Sequence, residues 1–365
     1  MRRPGLSRAR RYAEVTLAAP GFTDRRAAWS AAFPDLDAAG VDDLAARFRL
    51  GTGEIAAVAG MDAATSAWAV NGDRPGPAAL AGLIARRRSG TLAAIRTPWR
   101  RRDLLVLPDD QLAQVLAVAE EARAWPRASE AWRLERFGNP GVTALFAGDP
   151  GTGKTLAAEV VAAEIGLDLM EVDLSRLVSK WVGETEKHLD AVFDEAEAAH
   201  CVLFFDEADS LFGQRGEVSR GADRYANLEV GYLLQRLERY TGLVILASNL
   251  RANLDPAFTR RFHHVVHFPR PAAEQRRRMW EIALGPPLRL AEPVDLDVLA
   301  ALDLTGAGIA AAVRGASLAA ANRPATDDAL EAVTPADLVG AVQKQFQREA
   351  RLLPREQLAG YAGLR

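Results

Sequence analysis

Eight residues constrain this chain more than any others: GDPGTGKT at 148–155. They follow an apolar run, VTALFAG (142–148), and lead into the helix-forming stretch LAAEVVAAEIG (156–166). Strand, glycine-rich turn and helix in that order are the context that G-x-x-x-x-G-K-[ST] needs to act as a phosphate loop. The glycines let backbone N–H groups turn inward onto phosphate oxygens. The helix N-terminus adds partial positive charge. Gly148, Asp149, Pro150, Gly151, Thr152, Gly153, Lys154 and Thr155 are therefore the expected nucleotide-binding residues, with ATP and Mg²⁺ as cofactors. Lys154 is placed to reach the β- and γ-phosphates, and the Thr155 hydroxyl to ligate Mg²⁺.

Four more short runs read as buried strands: LDLMEVD (167–173), CVLFFD (201–206), GLVILAS (242–248) and HVVHF (264–268). Near-continuous apolar strands alternating with amphipathic helices predict a parallel sheet covered on both faces. Between two of them, ETEKHLDAVFDEAEAA puts Leu189, Val192, Phe193 and Ala196 on one helical face. CVLFFDEAD (201–209) ends in adjacent carboxylates at the strand edge where α/β sheets bind ligands. Asp206 is expected to hold Mg²⁺ through water, and Glu207 to activate the attacking water as general base. Asp209 is read as structural, and Cys201 as a small buried apolar residue. Asn249 closes a further strand, where its amide can position the same water or contact the γ-phosphate. Arg260 and Arg261, in LDPAFTRRF (254–262), offer forked donors suited to phosphate. They can serve their own subunit's nucleotide, or stabilise transition-state charge on a neighbour's.

Composition sets the outer limits. With 365 residues, 49% hydrophobic and 25% charged, the chain is globular and long enough for two or three domains. A net charge of -3 gives no overall pull toward nucleic acid or membrane. The one cysteine rules out an internal disulfide framework and fits a reducing, cytoplasmic setting. No apolar run reaches membrane-spanning length. MRRPGLSRARRY opens the chain with arginines but no apolar segment after them, so 1–12 is expected to be a flexible basic tail and not a secretory signal. The expected organisation is a helical region at 13–104, an α/β domain at 105–270, helices at 271–350 and a tail at 351–365. LAARFRLGTGEIAAVAG (44–60) also echoes LAALDLTGAGIAAAVRG (299–315), with the same spacing from Leu50 to Ile55 as from Leu304 to Ile309. Chance similarity in an Ala-rich chain and descent from a second copy both stay open.

The phosphate loop, FFDEAD, the Asn of ILASN, the arginines of LDPAFTRRF and the later LTGAGI together resemble an AAA+ ATPase of the AAA clade over roughly 105–350. The resemblance implies a P-loop module with a five-stranded parallel sheet in the order 5-1-4-3-2, a four-helix lid, nucleotide between the two, and a homo-hexameric ring. It implies that Arg260 and Arg261 act in trans. Here they are adjacent, without the Gly-containing insert of the more familiar form, so which arginine does more is open. TGAG stands where other AAA+ clades place a lid arginine. FAGDPGTGKTLAAEV, VDLSRLVSKWVGETEKHL and DRYANLEVGYLLQRLERYTGLVILASNL further resemble the AAA ATPases encoded with phage-tail-like contractile injection systems. Those proteins often carry a degenerate first module, and 13–104 is similar to its remnant lid. It has no phosphate loop of its own.

The same resemblance gives SKWVGETEK (179–187) a role. It places Lys180, Trp181, Val182 and Gly183 on a loop facing the ring's channel. There Trp181 grips a passing polypeptide by apolar contact and stacking, and Gly183 serves as a hinge. The alternative is that Trp181 is an ordinary core residue. Arg215, Arg220 and Arg224 lie in a second long polar loop, where they contact substrate or are simply solvated. His263 and His267 share a strand face but lack a third metal ligand. The arginine triplets at 86–88, 100–102 and 276–278 are read as solvated helix ends or inter-subunit contacts.

Three functions compete. One is an ATP-driven ring that remodels or translocates polypeptide, for instance a component or cargo of a contractile injection particle. A second is a nucleotide-dependent assembly scaffold with slow turnover. A third is a nucleic-acid motor, disfavoured by the slightly acidic charge and the absence of a basic stripe. No membrane partner is expected.

Overall fold

Val142–Gly148 (β2) is buried along its whole length, and the sheet is built outward from it. The computed structural model describes residues 20–68, 75–86, 93–174, 185–209, 231–249, 259–323 and 331–353. Leu169–Asp173 (β3), Val202–Asp206 (β4), Leu243–Ser248 (β5) and His264–Phe268 (β6) join β2 as parallel neighbours in the order β3-β4-β5-β2-β6. That is the expected 5-1-4-3-2 arrangement read from the other edge. One strand was not anticipated: Ala94–Arg96 (β1) pairs antiparallel with β3, so the sheet has six strands and is mixed.

The period of two sorts each strand between two cores. Ala144 and Phe146 face a cluster with Val115 and Val118 of Asp109–Trp132 (α5) and with Ala157, Val160 and Val161 of Lys154–Ile165 (α6). Leu145 faces the other cluster, with Val192 and Phe193 of Thr185–Ala199 (α7). Helices on both faces are what near-continuous apolar strands require.

Four helices follow: Ala273–Ala283 (α8), Leu296–Ala301 (α9), Gly306–Ala321 (α10) and Pro335–Arg348 (α11). Their own core centres on Trp280, Leu304, Ile309 and Phe346. Thr334 caps α11 in a reciprocal box with Asp337, and Arg323 holds both Asp337 oxygens at 2.8 Å. Burial pushes the Asp337 carboxyl up, but the bonds from Arg323 and Thr334 outweigh it and hold it below the usual aspartate range.

The chain divides into two compact units between Ala81 and Gly82. The first contains Phe22–Ala32 (α1), Ala38–Arg47 (α2) and Thr52–Trp68 (α3); Pro77–Arg86 (α4) runs across the division. Its internal bonding repeats that of α8–α10. Arg25 donates from Nε to Ala45 O and from Nη1 to Pro20 O; Arg276 donates from Nε to Ala300 O and from Nη1 to Pro271 O. One residue later, Arg26 pairs with Asp42 and Arg277 with Asp297. Trp29 and Trp280, each four residues after the first arginine, are both 0% exposed.

Candidate nucleotide-binding site

The loop after β2 takes a course open to few residues other than glycine. Gly151 has φ +77° and Gly153 φ +104°, in the left-handed region. A Cβ on Gly148 would lie 2.2 Å from Phe268 O, so only glycine lets the loop leave β2 beside β6. α6 then begins at Lys154, with its first N–H groups at the loop.

Lys154 is 6% exposed, and its Nζ donates to Gly148 O (2.8 Å), Asp149 O (2.9 Å) and Asn249 Oδ1 (2.9 Å). Burial lowers its pKa, while the charges of Asp206 and Asp209 oppose that. The Thr155 hydroxyl donates to Asp206 Oδ2 at 3.3 Å, and Asp206 Oδ1 accepts from Glu207 N at 2.9 Å. Asp209 accepts from both the backbone N (3.2 Å) and Nδ2 (3.4 Å) of Asn249. This is the structural role expected of it: it aims the other end of the amide at Lys154. Glu207 is exposed at the end of β4, with φ +53°. A non-glycine residue in that region costs roughly 1–2 kcal/mol. Such outliers persist where the surroundings impose them, commonly at functional sites.

These groups line one cavity of about 570 Å³, within the usual range for small-molecule sites. Pro150 to Thr155, Asp206, Glu207 and Asn249 form its polar end. Leu104, Leu105 and Val106, ahead of α5, face Met279, Ile282, Ile309 and Ala310 of the helical domain at the apolar end. Of this second group, Ile309 belongs to LTGAGI and Leu104 to Val106 to a stretch that resembles the linker into the domain, but residue patterns did not assign either to an apolar wall of the site, nor Met279 and Ile282. The first turn of α10 closes directly on the phosphate loop: Ala307 N donates to Gly151 O at 3.2 Å.

The polar end suits a nucleotide and a hard divalent cation. The N-terminal end of α6 and a buried ammonium match phosphate oxygens, and Thr155 Oγ1 with Asp206 is an oxygen donor pair of the kind Mg²⁺ prefers. Gly148 and Asp149 sit at the mouth of the loop and do not line the cavity; Asp149 lies near Arg270 instead. Arg260 and Arg261 are also outside the lining. Both are exposed, and Arg261 is ion-paired with Glu238. Lys180, Trp181, Val182 and Gly183 lie outside the described residues, as do Arg215, Arg220 and Arg224.

His263 and His264 have partners other than metal. His264 Nε2 meets Glu121 Oε2 at 2.6 Å, and that hydrogen bond holds the Glu121 carboxyl below its usual range. No group of three or more metal-ligating side chains occurs among the described residues. Cys201 is buried and its thiol is pushed up to about 12, so it is not a reactive thiolate. No helix among the described residues is long and apolar enough to cross a membrane.

Residues 144–270 match the AAA family, described as "ATPase family associated with various cellular activities". Similar curated proteins include an uncharacterized AAA family ATPase of Sinorhizobium fredii, 44% identical over 131 residues. That alignment spans 35% of this chain and 39% of that protein. A Cell division cycle protein 48 homolog of Archaeoglobus fulgidus is 38% identical over 211 residues, or 55% of this chain and 28% of the relative. Protein SUPPRESSOR OF K(+) TRANSPORT GROWTH DEFECT 1 of Arabidopsis thaliana is 40% identical over 154 residues, or 41% and 35%. The chain thus covers well under half the length of each of these relatives. The family match opens within β2 and closes just past β6, so it takes in the phosphate loop, both carboxylates and the asparagine: this chain carries an AAA-family ATPase domain.

Proposed function

We propose that this chain works as a ring of six copies that hydrolyses ATP and uses the energy to remodel or translocate polypeptide. The observation that carries this reading is an incomplete site. Among the described residues the cavity is lined by a lysine, a carboxylate base and an amide; the arginine in that lining, Arg100, is ion-paired with Glu159, while Arg260 and Arg261 stand exposed outside it. A neighbouring copy would supply them. In this reading, Pro150 to Thr155 hold ATP, with Gly148 and Asp149 shaping the loop behind them, and Thr155 and Asp206 would hold Mg²⁺, which neutralises charge on the phosphates. Glu207 takes the proton of the attacking water. Asn249, fixed by Asp209, orients that water, and the neighbour's arginines stabilise charge on the transferred group.

The polypeptide substrate rests on the resemblance of SKWVGETEK to a channel loop. The finer reading, a component or cargo of a contractile injection particle, rests on the resemblance of three sequence stretches. A cytoplasmic location accords with the single, unreactive cysteine. Residues 13–104 are read as a degenerate second lid without a phosphate loop. The support is the matched bonding of Arg25 with Arg276 and of Arg26 with Arg277. The function is tested by turnover against dilution. If the arginines act in trans, specific activity falls as the chain is diluted below its assembly range, whereas activity independent of concentration would contradict the reading.

A further inference from the structure

Thr143 is the polar residue inside an apolar strand, and it is 1% exposed. Its bonding converges on one segment. Its hydroxyl donates to Arg261 O at 3.2 Å and accepts from His263 N at 3.3 Å. Its carbonyl accepts from the same N–H at 3.0 Å. Its own buried N–H donates to His263 Nδ1 at 3.0 Å. That last bond fixes the tautomer: Nδ1 must carry a lone pair, so the ring is neutral with its proton on Nε2. The side chain between the two anchored residues, Phe262, is 8% exposed and packs into the core beside α7. Trp125 lies 6.4 Å from the His263 ring and is itself held by Pro140 O.

We propose that Thr143 and His263 are positioning residues that clamp the backbone at Arg261, and so the adjoining Arg260, to β2, the strand that ends in the phosphate loop. This rests on the reading that those arginines serve a neighbour's nucleotide. An arginine offered across an interface acts only if its backbone is fixed, since a displacement of about 1 Å can cost on the order of a hundredfold in rate. A bare carbonyl–amide contact between strands leaves the Arg261 end free to shift. The threonine hydroxyl and the imidazole add two side-chain ties there. They also join the finger to its own subunit's phosphate loop through a single strand, five residues from Thr143 to Gly148.

The test compares isosteres in the full chain. Thr143→Val keeps shape and removes the hydroxyl; Thr143→Ser keeps the hydroxyl. His263→Phe removes the acceptor of the Thr143 N–H, and His263→Asn restores an acceptor near the same place. Turnover, affinity for a fluorescent ADP analogue and thermal midpoint are read for each, alongside the Arg260→Ala/Arg261→Ala double variant. The expected result is a kcat fall of roughly tenfold or more for Thr143→Val and His263→Phe, because the arginines are misplaced. The ADP analogue should bind within about twofold of the parent, as these side chains lie outside the cavity, and Thr143→Ser and His263→Asn should recover most of the turnover. If the double variant collapses turnover while Thr143→Val and His263→Phe leave it intact, the clamp is wrong and the trans reading stands. If affinity and midpoint fall in step with kcat, the residues are merely structural, which also overturns the proposal. If the double variant has full turnover, the trans reading itself fails. Should Thr143→Val not fold, the His263 pair decides between the same outcomes.

Discussion

Gly151→Ala separates backbone strain from lid contact. Gly151 has φ +77°, and a Cβ there would meet Thr305 Oγ1 at 2.8 Å, Ala307 Cβ at 3.0 Å and Thr305 Cβ at 3.3 Å. The backbone term alone costs about 1–2 kcal/mol for an L-residue. The hydroxyl can rotate away only by giving up its cap bond from Gly308 N, and the two Cβ atoms belong to the N-cap and first turn of α10. That turn must retreat by several tenths of an ångström, which strains the 3.2 Å bond from Ala307 N to Gly151 O. Its loss is worth about 0.5–1.5 kcal/mol. The backbone term acts on the fold; the contact term acts on closure of the helical domain over the nucleotide. Gly166 supplies the control, since it has φ +76° at the C-cap of α6, away from the cavity. Both variants should lose a few degrees of thermal midpoint, at about 2–4 °C per kcal/mol for a domain of this size. Calorimetric titration with ADP should then show Gly151→Ala alone weakened, by about two- to twelvefold for that contact term. Equal ADP affinity in the two variants would refute the claim that the start of α10 closes directly on the phosphate loop.

Three further outcomes follow from particular contacts. Glu207→Gln should bind ATP normally while hydrolysis falls by at least about two orders of magnitude, measured as phosphate release, because the variant cannot take the water's proton. Desolvation against β2 holds the His263 ring below the usual histidine value of 6.5, with the Glu121 charge opposing and His264 adding to the fall. A depressed folded pKa contributes stability that is fully present above 6.5 and is lost as pH falls through the folded value. The thermal midpoint should therefore begin to drop below about pH 6.5, and His263→Asn should remove that limb. The loss tied to Glu121 and Asp337 lies lower, below their ordinary values of 4.5 and 3.8, and should remain. Arg25→Met should speed amide exchange across 22–47, with each lost charged bond worth roughly 1.5–3 kcal/mol, and leave ATP turnover unchanged. Retained protection there would argue against Arg25 as the pin of its unit.

The strands, the phosphate loop and both carboxylates were legible because each is local: an apolar run, a glycine spacing, an acid at a strand end. The role of Asp209 was legible too, although its grip on Asn249 depends on β4 and β5 lying side by side. β1 was not. Three residues carry no periodic signal, and Ala94–Arg96 becomes a strand only by pairing with β3, where Arg96 also meets Glu171. The apolar end of the cavity was legible only in part: LTGAGI carries Ile309 and the resemblance puts nucleotide between the domain and its lid, but Leu104 to Val106, Met279 and Ile282 belong to no motif. The echo between 44–60 and 299–315, by itself compatible with chance, carries only the later part of the likeness. Its stronger half, PGFTDRRAAW against PAAEQRRRMW, escaped because the intervening lengths differ. Arg25 reaches across 20 residues to Ala45 O, while Arg276 reaches across 24 to Ala300 O. The clamp on Arg261 left one faint trace, a threonine in an apolar strand.

The central claim is that the catalytic site is completed by a neighbouring copy. Light scattering on the Glu207→Gln variant, with and without Mg·ATP, tests it most directly, because that variant should hold ATP without consuming it. The account predicts a species six times the 39.4 kDa chain mass when ATP is present. A monomer under both conditions would contradict it, removing the trans arginines and the channel together.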